Sequence, residues 1–210
     1  MGETIRVWCL RHAESENVVD GAAGVLESAP LTARGREQAV AAARTLASEP
    51  ITRIYTSTAA RAIQTAMPIA AESGSNARRL SESVPGLAEF GIGRAEGSRD
   101  PEIRRRTAQV LRAWVVDSDL DQRVDDGETG HEVVTRMSAA FASIAAAHPG
   151  ETVAIVGHVG SLTVALSRLC GLGPAVWGTP LPHAEPFLIE GDGQAWRCPA
   201  WPISPPRSAL

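Results

Sequence analysis

Two short apolar runs constrain this chain more than any other feature. Ile5 to Leu10, interrupted only by Arg6, and Thr152 to Val156, almost unbroken, read as buried strands. Each breaks abruptly at a histidine, the first through Arg11-His12 and the second through Gly157-His158-Val159-Gly160-Ser161. Small residues follow each histidine, and the chain then turns towards a helix. In open α/β sheets, polar groups at the carboxyl ends of such strands stand where ligands bind. The fold expected is α/β, a three-layer α/β/α arrangement with a mostly parallel central sheet.

The stretches between the two runs supply the other elements. Thr32 is placed to cap a helix through about Ser48, with Ala39, Ala43, Leu46 and Ala47 as its apolar stripe. Ile51 to Thr56 reads as a β-branched strand, and Thr56-Ser57-Thr58 offers hydroxyls to cap a following helix. That helix carries Arg61 in its first turn and Ile63, Ala66 and Ala70 on one face, and Pro68 should kink or shorten it. Ala77 to Leu80 is expected as a further strand, and Asn17 to Pro30 as loop. Residues 98–126 contain an arginine-rich helix, the expected short helical cap insertion. Ile103, Val110, Leu111 and Trp114 form its apolar face. Most of Arg104, Arg105, Arg106 and Arg112 should be solvated, with one or two facing an anionic ligand if the segment covers the site. Thr129 and Glu132 form a capping box opening a helix with Val133, Met137, Phe141 and Ile144 on one face. Leu181 to Glu190 and Gln194 to Arg197 read as a terminal hairpin, and residues 199–206 as a surface tail. No linker is evident, so residues 1–210 are expected to form one domain.

Composition removes several function classes. A net charge of −4 gives no basic field for nucleic acid. All 20 cationic residues are Arg, so neither a P-loop lysine nor a Schiff-base lysine is available. Cys9, Cys170 and Cys198 are odd in number and lack a paired spacing, which suits free thiols in a reducing compartment. Neither a signal peptide nor an apolar run of membrane-spanning length is evident, and a cytoplasmic location is expected.

A single histidine at a strand end is more often structural than catalytic. Two at similar topological positions, one directly preceded by Arg, point instead to an anion site. The helix start after His158 also supplies backbone N–H groups suited to an oxyanion or phosphate.

Six blocks in order resemble the histidine phosphatase (phosphoglycerate mutase-like) superfamily. Arg11-His12-Ala13-Glu14-Ser15-Glu16-Asn17 resembles its Arg-His-Gly-Glu opening, and Pro30-Leu31-Thr32-x-x-Gly35-x-x-Gln38-Ala39 the helix that follows. Thr56-Ser57-x-x-x-Arg61-Ala62-x-x-Thr65-Ala66 is similar to the block with the second arginine. Leu87-x-Glu89-x-x-x-Gly93-x-x-Glu96-Gly97 resembles the segment of the catalytic acid, Gly127-Glu128-Thr129 the Gly-Glu-Ser block, and Gly157-His158-x-Gly160 the block with the second histidine.

The resemblance implies that His12 is a nucleophile forming a phosphohistidine, with one ring nitrogen fixed by a backbone carbonyl. It implies that Arg11, Arg61 and His158 bind the phosphoryl oxygens, and that Glu89 is the acid and base. Asn17 and the backbone from Val159 onward would contact the phosphoryl group. No cofactor and no metal are implied, because guanidinium forks supply the positive field. The activity implied is hydrolysis of a small-molecule phosphate monoester, the short cap favouring water as acceptor. A phosphomutase and a non-catalytic phosphate-binding regulator are the alternatives. The partners expected are a small phosphorylated metabolite and, as an open alternative, a second copy in a homodimer, with neither nucleic acid nor membrane.

Certain positions depart from the family pattern. Ala13 replaces the usual Gly, which matters only at positive φ. Asn17 comes one residue earlier than the commonest spacing. Glu82 competes with Glu89 for the acid role on poorer spacing. His183 lies where the family often has Asn, and touches substrate or shapes the pocket. His131 and His148 match no catalytic position and are expected at the surface, and the five Trp in the core or cap. The pocket rim, residues 18–30, 98–126 and 181–186, carries no pattern that names a substrate.

Overall fold

The computed structural model describes residues 3–72 and 81–202. Six strands, β1 (Ile5–Arg11), β2 (Ile51–Thr56), β3 (Ser81–Ser83), β4 (Thr152–Gly157), β5 (Phe187–Gly191) and β6 (Trp196–Arg197), form one sheet of order β3-β2-β4-β1-β5-β6. The first four in that order run parallel, and β5 and β6 add antiparallel partners at the β1 edge. β4 is buried along its whole length because helices cover both faces, which is why its sequence is continuously apolar rather than alternating.

Side-chain alternation along the central strands divides the interior. Val7, Cys9, Val153 and Ile155 face a core shared with α5 (Gly130–Ala147) and α6 (Val159–Leu169). Leu10, Ile54, Ala154 and Val156 face a second core against α2 (Ala33–Leu46) and α3 (Ala60–Glu72). The result is the three-layer α/β/α fold with a mostly parallel sheet.

Local chemistry sets the helix starts. Thr32 accepts from Gly35 N–H and opens α2. Thr129 and Glu132 form the reciprocal capping box of α5, a device worth about 1 kcal/mol. Four expectations need correction here. The 17–30 stretch is not all loop, since a short helix α1 (Glu16–Val19) begins at Ser15. α3 runs past Pro68 to Glu72, and Ala62, Thr65, Ala66 and Ile69 form its buried stripe while Ile63 is only half-buried. The first arm of the hairpin is shorter than expected, beginning at Phe187. His148 is buried, 9% exposed, because its ring lies between the Tyr55 hydroxyl and the Glu151 carboxylate. The strand expected at Ala77 to Leu80 lies outside the described residues, as does the tail from residue 203.

The cap segment holds α4 (Pro101–Arg112), with Asp100 accepting from Glu102 N–H, and a π turn, Ala113–Asp117. Val110 and Trp114 anchor it in the core, and the Trp114 ring meets Phe90 edge-on at 4.9 Å. No helix among the described residues is long and apolar enough to cross a membrane.

Candidate active site

Strand register creates the site. Arg11 pairs with Gly157 across β1 and β4, and His12 N–H donates to the Gly157 carbonyl at 2.9 Å. Both strands therefore release a histidine at the same level, and the rings stand 5.1 Å apart, tilted by 60°.

Arg61, buried in the first turn of α3, ties the two rings together. Its Nε–H donates to His12 Nε2 and one Nη2–H to His158 Nδ1, each at 3.3 Å. Those acceptors set the tautomers. The His12 proton lies on Nδ1 and goes to the Ala13 carbonyl at 2.7 Å, and the His158 proton lies on Nε2 and goes to Ser57 Oγ at 2.7 Å. The nitrogen of His12 left with a lone pair is thus Nε2. Ala13 is not among the residues at positive φ, so Ala stands there without strain.

Burial first, and then the neighbouring His158, Arg61 and Arg11, hold the His12 imidazole well below the ordinary histidine range. Burial followed by Arg61 and Arg11 does the same to His158. Burial pulls Arg11 down to about 10, which still leaves it cationic at neutral pH.

A cavity of about 260 Å³ opens in front of these groups. Arg11, His12, Asn17, Arg61, Glu89 and Val159 line it. His158 and His183 are not lining residues. Both ring nitrogens of His158 are already engaged, and His183 donates from Nδ1 to the His12 carbonyl at 2.9 Å, its ring 5.7 Å away. Glu82 lies on β3 beside Tyr55, away from the cavity. Asn17 Oδ1 accepts from Ser15 Oγ at 2.7 Å, which leaves its amide NH2 for the cavity. His131 is at the surface as expected, 3.6 Å from Asp121.

The helix start after His158 differs from expectation. The N–H groups of Gly160 and Ser161 are not free for an anion, because they donate to the two Glu89 carboxylate oxygens at 3.0 and 2.7 Å. Phe90 N–H donates to Glu89 as well. A helix N-terminus favours a carboxylate as readily as a phosphate, and Glu89 takes this one. A Cβ at position 160 would collide with Phe90 and Glu89, so glycine there lets the acid approach.

Several positioning residues were not singled out from the sequence. Arg136 donates to the carbonyls of Gly86, Ala88 and Glu89 and pairs with Glu128, which also accepts from Gly91 N–H. Together they hold the loop that presents Glu89. Glu96 accepts from Val25 and Ile92 N–H, and the Val25 and Leu26 carbonyls in turn hold Arg61 at 2.7 Å. From the cap, Arg104 lines the cavity mouth, whereas Arg105, Arg106 and Arg112 hydrogen-bond to partners outside it.

The family model described as histidine phosphatase superfamily (branch 1) matches residues 7–204. A protein named probable phosphoglycerate mutase GpmB, from Proteus mirabilis, is 33% identical over 170 residues, covering 80% of this chain and 76% of its own. A protein named adenosylcobalamin/alpha-ribazole phosphatase, from Escherichia coli K12, is 26% identical over 176 residues, covering 82% of this chain and 83% of its own. Among solved structures, a mycobacterial glucosyl-3-phosphoglycerate phosphatase in complex with VO3 superposes with a TM-score of 0.78 at 25% identity, covering 95% of this chain and 99% of that one. With its paired histidines, its Arg61 bridge and a family match over nearly its whole length, this chain belongs to the histidine phosphatase superfamily, branch 1.

Proposed function

We propose that the protein is a metal-independent phosphatase that hydrolyses a small-molecule phosphate monoester through a phosphohistidine on His12. One observation carries this reading. His12 Nδ1–H is held by the Ala13 carbonyl, which leaves the Nε2 lone pair on a neutral, buried imidazole facing two guanidinium groups and a carboxylate.

In the reaction, Nε2 attacks phosphorus while the bond to the ester oxygen breaks. Arg11 and Arg61 neutralise charge on the phosphoryl oxygens, with Arg61 exchanging its contact with Nε2 for the phosphoryl group. Glu89 passes the proton that the leaving alkoxide takes up. Its carboxylate then takes a proton from the water that attacks the phosphohistidine, and the P–N bond breaks to restore neutral His12. The Asn17 amide and the backbone at Val159 complete the phosphoryl pocket. His158 keeps Arg61 in place, and His183 keeps the His12 backbone in place.

A phosphomutase is the second reading, favoured by relatives named probable phosphoglycerate mutase. The cap here is one 12-residue helix and a five-residue π turn, which favours access by water. The test is hydrolysis of p-nitrophenyl phosphate with and without chelator and vanadate. Activity unchanged in EDTA and inhibited by vanadate is expected, because vanadate mimics five-coordinate phosphorus. Activity lost in EDTA and restored by magnesium would overturn the metal-free mechanism.

A further inference from the structure

A second cavity, of about 440 Å³, adjoins the first and shares Arg11, Ala108, Leu111 and Val159 with it. We infer that it is the leaving-group subsite, built for an alcohol bearing an apolar ring, such as an aryl group, rather than for a short polyol or hydroxy acid. The inference rests on the phosphatase reading for its orientation: the phosphoryl group lies by Arg11 and His12, and the ester oxygen points past Val159.

Chemistry of the walls carries this choice. Beyond the shared neck stand Val176, Trp177 and Pro180, with Trp177 at the rim and 37% exposed. Its indole offers a rigid aromatic face against which a ligand ring can pack. Arg11, the only charged residue lining this cavity among the described residues, is committed to the phosphoryl end, and its Nη1 donates to the Leu181 carbonyl at 2.9 Å. Two hydroxyls line this cavity, that of Thr163, whose proton goes to the Val159 carbonyl at 2.6 Å and whose oxygen can only accept, and that of Thr179. A sugar or glyceryl chain would find only these two hydroxyls as neutral side-chain partners while its carbons met a mostly apolar wall, whereas a ring would bury apolar surface throughout. The first cavity alone is below the usual size of a small-molecule site, and the pair together lies within it. Arg104, which lines the first cavity and not the second, is where a short anionic ester would be held instead.

The test compares propyl, glycerol 3- and 3-phenylpropyl phosphates, whose leaving oxygens are all primary alkoxides. Affinities measured by calorimetry on His12→Ala protein separate the subsite from turnover. The phenylpropyl ester should bind about tenfold or more tighter than the other two. In the same background, Ala108→Trp, at an exposed position of α4, should block the neck and reduce that ratio below threefold. Trp177→Ala should reduce it likewise. A ratio near one, a preference for the glyceryl ester, or a ratio that neither substitution moves would overturn the subsite. If wild-type protein turns over none of the esters while His12→Ala keeps the ratio, the phosphatase reading fails and the subsite stands.

Discussion

The two strand–histidine junctions begin alike and end differently. At β1 the chain leaves His12 into extended backbone, the ring is anchored through Nδ1 by its own neighbour, and Nε2 faces a cavity. At β4 the chain turns straight into α6, and the His158 ring is anchored at both nitrogens, by Ser57 and Arg61. The difference follows from what comes next in the chain. A helix starting at once brings Gly160 and Ser161 N–H groups to bear on Glu89 and walls off His158. A loop leaves His12 open on one side. Equivalent topology thus gives one histidine with a ring facing the cavity and one engaged at both ring nitrogens away from it.

That contrast can be sharpened by substitution. Glu89→Gln keeps the size of the side chain, removes its titratable proton and sets an NH2 against one of the α6 N–H groups, a change common to every substrate. For an alkyl ester it should lower turnover by about 10²- to 10⁴-fold, and for p-nitrophenyl phosphate far less in forming the phosphoenzyme, since that leaving group departs without a proton. Equal losses on both substrates would remove Glu89 from the acid role.

His158→Ala should do less, about 10- to 100-fold in kcat/KM, because it disturbs Arg61 rather than the bond being made. The phosphoryl acceptor should stay where it is. A loss as complete as that of the nucleophile would break the comparison.

A further effect lies in stability. Both histidines have folded-state values held well below the ordinary one near 6.5, chiefly by burial. As pH falls below that ordinary value the unfolded chain takes up protons that the folded site refuses. Stability therefore falls with decreasing pH, by at most about 1.4 kcal/mol per pH unit for each histidine, until the folded values are reached. Denaturant titrations at pH 7 and pH 5 should show this, and His158→Ala should flatten the slope. An unchanged slope would mean that the His158 ring is protonated in the folded protein.

Legibility from the sequence followed the range of the interactions. β1, β4, the α2 cap and the α5 capping box are set by neighbours a few residues apart, and each stands where the pattern placed it. The blocks resembling the family also carried Gln38, Thr65, Glu96 and Glu128 without revealing what those residues do. Each hydrogen-bonds backbone far along the chain, as Gln38 does with Glu14 N–H and Thr65 with Ala13 N–H. Arg136 belongs to the same group and lies in no quoted block, although a cation next to Met137 on an otherwise apolar helix face was a signal. His148 is buried rather than at the surface because Tyr55 on β2, distant in the chain, closes over its ring only after folding, while its other partner, Glu151, is local. The occupied N-terminus of α6 was hidden for the same reason. Nothing local to Gly160 announces that Glu89 lies above it.

The central claim is that His12, not His158, carries the phosphoryl group. Rapid-quench labelling with a ³²P-phosphate ester tests it most directly. Acid-labile, alkali-stable label should appear and map to the peptide containing His12. His12→Ala should lose both label and turnover, while His158→Ala should keep the label on His12. Label on His158, or on Ser15 or Ser161, would contradict the assignment.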